Sequence, residues 1–206
     1  KPARRAAREK QLRRMQSGAN DSARVFVLGV GNMGHENQRR LRRGLPGQLL
    51  FGKKSFARRF FAHRTEEGAD ALAAFLDAQA DSQLVLLFSD ATREEVEAAL
   101  EPLRADEFGR AGSPATATLR LAAGPDALRT LPLAAEEPLR ALGLDIEVHE
   151  GRICLQHPLD ASVRGQPLTA VQARLLRMLG VKAGEFAVRL LGEWDRLGGQ
   201  FSAFSA

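Results

Sequence analysis

The sequence predicts a mixed α/β chain, because apolar runs of strand length alternate with segments of helical periodicity. The run from Arg24 to Val30 and the run Leu84-Val85-Leu86-Leu87-Phe88 are almost unbroken apolar stretches, the pattern of strands buried on both faces. Ala69 to Ala80 places Leu72, Phe75 and Leu76 on one side, the pattern of an amphipathic helix. Composition then shifts near Phe108-Gly109-Arg110-Ala111-Gly112-Ser113-Pro114. From there to Pro167 the chain is rich in Pro and Gly, with short strands and little basic charge.

In chain order, Lys1 to Gln16 reads as a polar helix whose apolar members are Ala3, Ala6, Ala7, Leu12 and Met15. That is too little to dock on a core, so the helix is expected to be solvent-exposed or to lie on a partner. A break is expected at Ser17-Gly18-Ala19-Asn20-Asp21. After the first strand, His35 to Arg43 forms a basic helix, and Leu49-Leu50-Phe51-Gly52 a short second strand. Ser55 is expected to cap a helix carrying Phe56, Phe60 and Phe61 at i, i+4, i+5, with Arg58 and Arg59 outside. Thr92-Arg93-Glu94-Glu95 spells a capping box, and Pro102 ends or kinks the helix it opens. Ile146-Glu147-Val148 and Arg152-Ile153-Cys154-Leu155 flank His149-Glu150-Gly151 as a hairpin. Thr169 caps a helix with Val171, Leu175, Leu176 and Leu179 at helical spacing, stopped by Gly180. Phe186 to Leu191 reads as the last strand, and the tail from Gly198 as frayed.

Charge is distributed unevenly. The first 64 of the 206 residues carry 17 Lys or Arg and 3 Asp or Glu; the remaining 142 carry 13 and 22. The net charge of +5 thus conceals +14 at one end and −9 at the other. Like charges crowded together oppose compaction, so such a block serves a polyanionic partner. Neutralising several phosphates releases their counterions and gives tight, salt-dependent binding. The single cysteine, Cys154, forbids an internal disulfide and suits a reducing compartment, where it is expected as a small residue inside a strand. No apolar run approaches the roughly 20 residues of a membrane span, so no membrane partner is expected. The chain opens on Lys1, which leads us to expect a fragment or a processed product.

Gly29-Val30-Gly31-Asn32-Met33-Gly34 matches G-x-G-x-x-G directly after a strand. Its context opposes a dinucleotide site. The next nine residues offer one apolar side chain, and burying their arginines unpaired would cost several kcal/mol each. The acid expected about 20 residues on is absent; Gly52-Lys53-Lys54 stands there instead. We read the glycines as a turn beside a nucleic-acid surface. The phosphate-contacting cations are expected to be Arg39, Arg40, Arg42, Arg43, Lys53, Lys54, Arg58 and Arg59. Asn32, Met33 and Gly52 are expected at close approach, and Ser55 at a helix start whose amides favour an anion. If the first two strands are neighbours, their following turns share one sheet edge. Met33 and Phe51 suit either base contact or core packing, and Trp194 with Phe186 suits the core. The four histidines form no metal-ligand cluster and no nucleophile motif appears. No cofactor, metal or catalytic residue is therefore expected.

These residues carry a family resemblance. Arg24-Val25-Phe26-Val27-Leu28 through Asn32-Met33, then Leu41-Arg42, then Leu50-Phe51-Gly52-Lys53, resemble the RNA-binding region of the acidic ribosomal stalk-base protein family. Phe108-Gly109-Arg110-Ala111-Gly112 resembles that family's Ala-Arg-Ala-Gly junction. The assembly paralogue, the mRNA turnover protein four family, is closer. Ala141-Leu142-Gly143-Leu144, Leu168-Thr169-Ala170-Val171-Gln172-Ala173-Arg174 and the ending Glu185-Phe186 to Trp194-Asp195 resemble its C-terminal half. The likeness spans about residues 10 to 197.

The resemblance implies a discontinuous α/β RNA-binding domain, 1–110 with 167–206, and a smaller inserted α+β domain at 111–166. It implies a non-enzymatic ribosome biogenesis factor in the nucleus and nucleolus, with shuttling to the cytoplasm as a further expectation. Its partner would be precursor large-subunit rRNA at the stalk base, beside neighbouring ribosomal proteins and assembly factors of the pre-ribosomal large subunit. It would hold that site until a phosphatase-like release factor helps exchange it for the mature stalk protein. Two alternatives stand: the mature stalk-base protein cut before its acidic tail, and a nicotinamide-cofactor enzyme using the glycine turn.

Overall fold

The computed structural model describes residues 2–79 and 83–204. Lys1 and Ala80, the expected ends of two helices, lie outside the described residues. The helices are α1 (Pro2–Asp21), α2 (His35–Gly44), α3 (Lys54–Phe61), α4 (Ala69–Ala78), α5 (Arg93–Leu100), α6 (Glu136–Ala141) and α7 (Ala170–Met178). The strands are β1 (Arg24–Gly31), β2 (Gln48–Phe51), β3 (Gln83–Ser89), β4 (Ala105–Glu107), β5 (Leu119–Leu121), β6 (Ile146–His149), β7 (Arg152–Leu155), β8 (Leu159–Ser162), β9 (Gly184–Asp195) and β10 (Gln200–Ala203). The chain is a mixture of helix and strand, in two compact units: residues up to Arg104 together with those from Ala187, and Ala105–Phe186.

In the first unit the sheet order is β10-β9-β1-β3-β2, and every ladder is antiparallel. Central β1 is buried from Val25 to Val30, which explains its lack of polar alternation. Side-chain alternation sends Val25 and Val27 to one face, where they join Met15, Leu50, Phe61, Leu72, Leu76, Leu86, Phe88 and Trp194 in a single core. This face is covered by α1, α3 and α4. By the same alternation Phe26, Leu28, Val85 and Leu87 face the other way; buried Leu41, Val96 and Leu100 sit on α2 and α5.

The sequence expectations meet several corrections here. α1 is not a detached polar helix: it runs unbroken to Asp21 and docks through fully buried Met15 and Ala19. Gly18 makes the seam possible, since a Cβ there would stand 2.7 Å from the Phe88 ring. The tail from Gly198 is not frayed, because β10 pairs with β9 from Gln200↔Asp195 to Ala203↔Gly192. Its side chains show no strand pattern; the pairing is supplied by β9, which ends at Asp195 and leads into β10 through a short turn. β1 and β2 are not neighbours either. β3 lies between them and is antiparallel to both, so β1 and β2 run the same way, as in a split βαβ unit. Val30 pairs opposite Gln83 and Phe51 opposite Val85, so the turns after β1 and β2 still emerge at the same end, about 10 Å apart.

The glycine motif does not build a Rossmann crevice. Gly29 lies inside β1 and closes on the Leu191 side chain (2.8 Å from a Cβ built there), and Gly31 is still strand. The tight turn falls instead on Asn32, at φ +53°. Both neighbours of β1 are antiparallel, whereas a dinucleotide fold needs parallel ones.

The second unit has its own core, built from Leu121, Leu128, Leu139, Ile146, Ile153, Leu155, Leu168, Leu175 and Leu176, among others. It contains the antiparallel pairs β5-β8 and β6-β7, and β4 pairs with the first residues of β9. The β6-β7 turn is two residues, Glu150 and Gly151, both left-handed (φ 50° and 75°), the hairpin geometry that favours glycine. The expected domain boundary after residue 166 shifts, because α7 buries Leu175 and Leu176 in this core. Both capping boxes form, Thr92 with Glu95 and Thr169 with Gln172. Cys154 is a buried residue of β7.

Candidate nucleic-acid interface

Four elements of the first unit carry the cations, and the sheet decides where these point. β2 is an edge strand, with α1 against it and α2 leading into it. The Gln48 side-chain amide donates to the Arg14 carbonyl (2.9 Å), tying α1 to the start of β2. A cleft of about 200 Å³ opens along this edge, lined by Lys10, Gln11 and Arg14 of α1, Arg42 of α2, and Leu49, Leu50 and Phe51 of β2. Among the described residues no acidic side chain lines it. The Arg42 guanidinium lies 5.0 Å over the Phe51 ring, which holds a long side chain in one orientation.

Gly52 follows directly. Gln11 approaches it so closely that a Cβ would stand 2.0 Å from Gln11 Nε2, and that nitrogen is buried without a hydrogen-bond partner among the described residues. Glycine at 52 is therefore explained first by α1, whose side chain fills the space. Lys53 is exposed and is the N-cap of α3; Ser55 sits inside the first turn, so the cap lies two residues earlier in the chain than expected.

The remaining expected residues divide. Arg43 and Arg39 are exposed on α2, Arg39 within 3.8 Å of exposed Glu36, and Arg40 is half-buried. Asn32 sits half-buried at the turn end of β1. Met33 is 7% exposed and belongs to the core. Lys54 donates to the Gln79 carbonyl at the end of α4. Arg58 pairs with Asp77 (3.4 Å) beside a second carboxylate, Asp70, in an acidic hollow on α4. Arg59 is exposed on the opposite flank of α3, facing α1. Nearby Arg64 is held by Glu66 and Asn20, and its hydrogen bonds keep the Glu66 carboxyl below the usual carboxylate range.

The structure thus brings Arg42 together with Lys10 and Arg14, two cations that sequence reading left in a general basic helix. Their spacing of four, on one helix face, was the available signal. Arg58 and Lys54 are drawn away by partners more than 15 residues distant in sequence, which no local pattern announces.

Comparison with known proteins gives both a family match and named relatives. The family model for the insertion domain in a 60S ribosomal protein, the RL10P insertion domain, matches residues 109–181. The ribosome assembly factor mrt4 of Schizosaccharomyces pombe is 29% identical over 187 residues, covering 84% of this chain and 77% of the relative. The Neurospora crassa protein of that name is 25% identical over 217 residues (95% and 84% covered). That of Eremothecium gossypii is 25% identical over 159 residues (72% and 67% covered).

Proposed function

We propose, on the premise that this chain belongs to the ribosome assembly factors of the mrt4 family, that it acts in large-subunit biogenesis by binding precursor rRNA at the stalk base. The observation that carries the RNA-binding reading is the cleft in which Lys10, Arg14 and Arg42 converge on the β2 edge with no carboxylate among the residues described there. Three cations held apart by backbone, with no acid lining the cleft between them, repel one another until an anion enters. A phosphate bridging two of them gains charge-assisted hydrogen bonds and releases condensed counterions. Lys53 and Arg43 extend the surface on either side, and Phe51 keeps Arg42 aimed.

The chemistry asked of the protein is occupancy. It holds a folded RNA element by shape and phosphate contacts, with few base-edge hydrogen bonds, until the mature stalk protein takes the same place. We place this action in the nucleus and nucleolus, among neighbouring proteins of the pre-ribosomal particle and with a phosphatase-like release factor. The acidic hollow around Asp70 and Asp77 is outside the RNA surface in this reading.

Filter binding to a stalk-base fragment of precursor rRNA tests it. Arg14→Glu with Arg42→Glu is expected to lower affinity at least about a hundredfold at physiological salt, since each lost charge-assisted contact is worth roughly tenfold or more. Undiminished binding by a folded double variant would overturn the cleft as the site.

A further inference from the structure

A second groove lies on the other flank of α1. It measures about 630 Å³ and runs between α1 and α3, lined by Leu12, Gln16 and Asn20 from the first helix, Phe56, Arg59 and Phe60 from the second, and His63 and Arg64 just beyond its end. The spacing is helical on both sides, so each helix offers one ridge. The floor is apolar: Leu12 is 37% exposed, and Phe56 and Phe60 are only partly buried although they pack against the core. The rim carries exposed Arg59 and, beside it, Arg64, which is already paired with Glu66; among the described residues no carboxylate lines the groove itself. Arg64 lies 5.5 Å over the Phe60 ring, and His63 Nδ1 is 2.7 Å from the Arg59 carbonyl, so the rim is fixed rather than loose.

A polar surface gains nothing from leaving two phenyl groups and a leucine open under a basic rim. Flat aromatic faces beside cations suit one class of occupant, a nucleobase with its phosphate attached. Bases stack on aromatic side chains, and single unpaired bases are what proteins read in folded RNA. We propose that this groove receives one unpaired RNA base, stacked on Phe56 with Gln16 at its edge, while Arg59 holds the adjoining phosphate. The inference rests on the RNA-binding reading above. It places a base pocket and a phosphate cleft on opposite flanks of the same helix, so that α1 would lie along the RNA with Lys10 and Arg14 on one strand and Leu12 and Gln16 on the other.

Fluorescence anisotropy of the whole chain with labelled RNA hairpins separates the two claims. Three probes are used: a hairpin with one bulged adenosine, the same hairpin fully paired, and the same hairpin with an abasic bulge. The bulged adenosine is expected to bind about tenfold or more tighter than either control. Phe56→Ala should erase that preference and leave affinity for the paired hairpin unchanged. Arg59→Gln, on an exposed side chain that cannot disturb packing, should reduce it several-fold. Arg14→Glu with Arg42→Glu should weaken all three probes alike and keep the preference. Equal binding of the three hairpins by the wild type overturns the base pocket while leaving the phosphate cleft standing; absence of binding to all three overturns both. A glutamate-rich amphipathic peptide that binds the wild type but not Phe56→Ala, with hairpin binding unchanged, would assign the groove to a protein and overturn the base reading.

Discussion

At the scale of single residues, the basic block does two kinds of work, and the neighbours of each cation decide which. Arg42 lies over Phe51 in a cleft that no described acid lines, whereas Arg58 faces Asp77 and Lys54 is used by the Gln79 carbonyl. Arg42→Ala is therefore expected to weaken RNA binding about tenfold, and Arg58→Ala less than about twofold. A side-by-side filter-binding series reads the contrast, and equal losses would contradict it. Glu66 gives a prediction about pH. Its hydrogen bonds from Arg64 hold its pKa below the ordinary 4.5, so the folded state keeps the carboxylate ionised where the unfolded chain protonates it. The stabilisation is present in full above pH 4.5 and fades as pH falls through the lowered value. Glu66→Gln should lower the urea midpoint at pH 7 and approach the wild type as pH falls through the lowered value. Glu193 behaves oppositely. Burial raises its pKa despite Arg24 at 3.0 Å, so its ionised form weighs against the fold as pH rises.

At the scale of elements, α1 is the piece on which both proposed RNA sites depend, and it is the one whose sequence disguised it. Its apolar residues are few, but Met15 and Ala19 fall four apart on the side where Gly18 lets the helix approach Phe88. Gly18→Val is expected to cost about 1–3 kcal/mol, because the new side chain meets the aromatic ring with no room to move. RNA affinity should drop with it, since Lys10 and Arg14 ride on the same helix. Urea melts paired with filter binding check this, and an unshifted midpoint would contradict the docking. The elements that could be read in advance were those coded locally. Apolar runs gave β1 and β3; Thr92 with Glu95 and Thr169 with Gln172 gave two helix starts. β10 was hidden because its strand character comes from β9, and the β1-β3-β2 order was hidden because β3 enters between two earlier strands. The cations of the candidate cleft were visible as charge, but their convergence needed the β2 edge to bring residues 10, 14 and 42 together.

At the scale of the molecule, charge is sorted within the first unit more sharply than between the two units. Residues 65–104 carry ten Asp or Glu and two Arg, and they include α4 and α5; residues 105–186 carry nine basic and ten acidic side chains. The excess of positive charge therefore sits on α1, α2 and α3, the elements proposed to face RNA, while the second unit, which contains the stretch matched by the insertion-domain model, is close to neutral. If about six cations meet phosphate, the logarithm of affinity should fall by about 5 per tenfold rise in salt, and by about 1 less for each cation removed. The central claim is that the basic edge of the first unit lies on stalk-base RNA. Crosslinking in cells, with sequencing of the attached RNA and mapping of the attached peptides, tests it most directly. The expected result is a map to the stalk-base region of precursor large-subunit rRNA, through peptides holding Lys10, Arg14, Arg42 and Lys53. A map to other RNA, or crosslinks confined to α4, α5 or the second unit, would contradict the account.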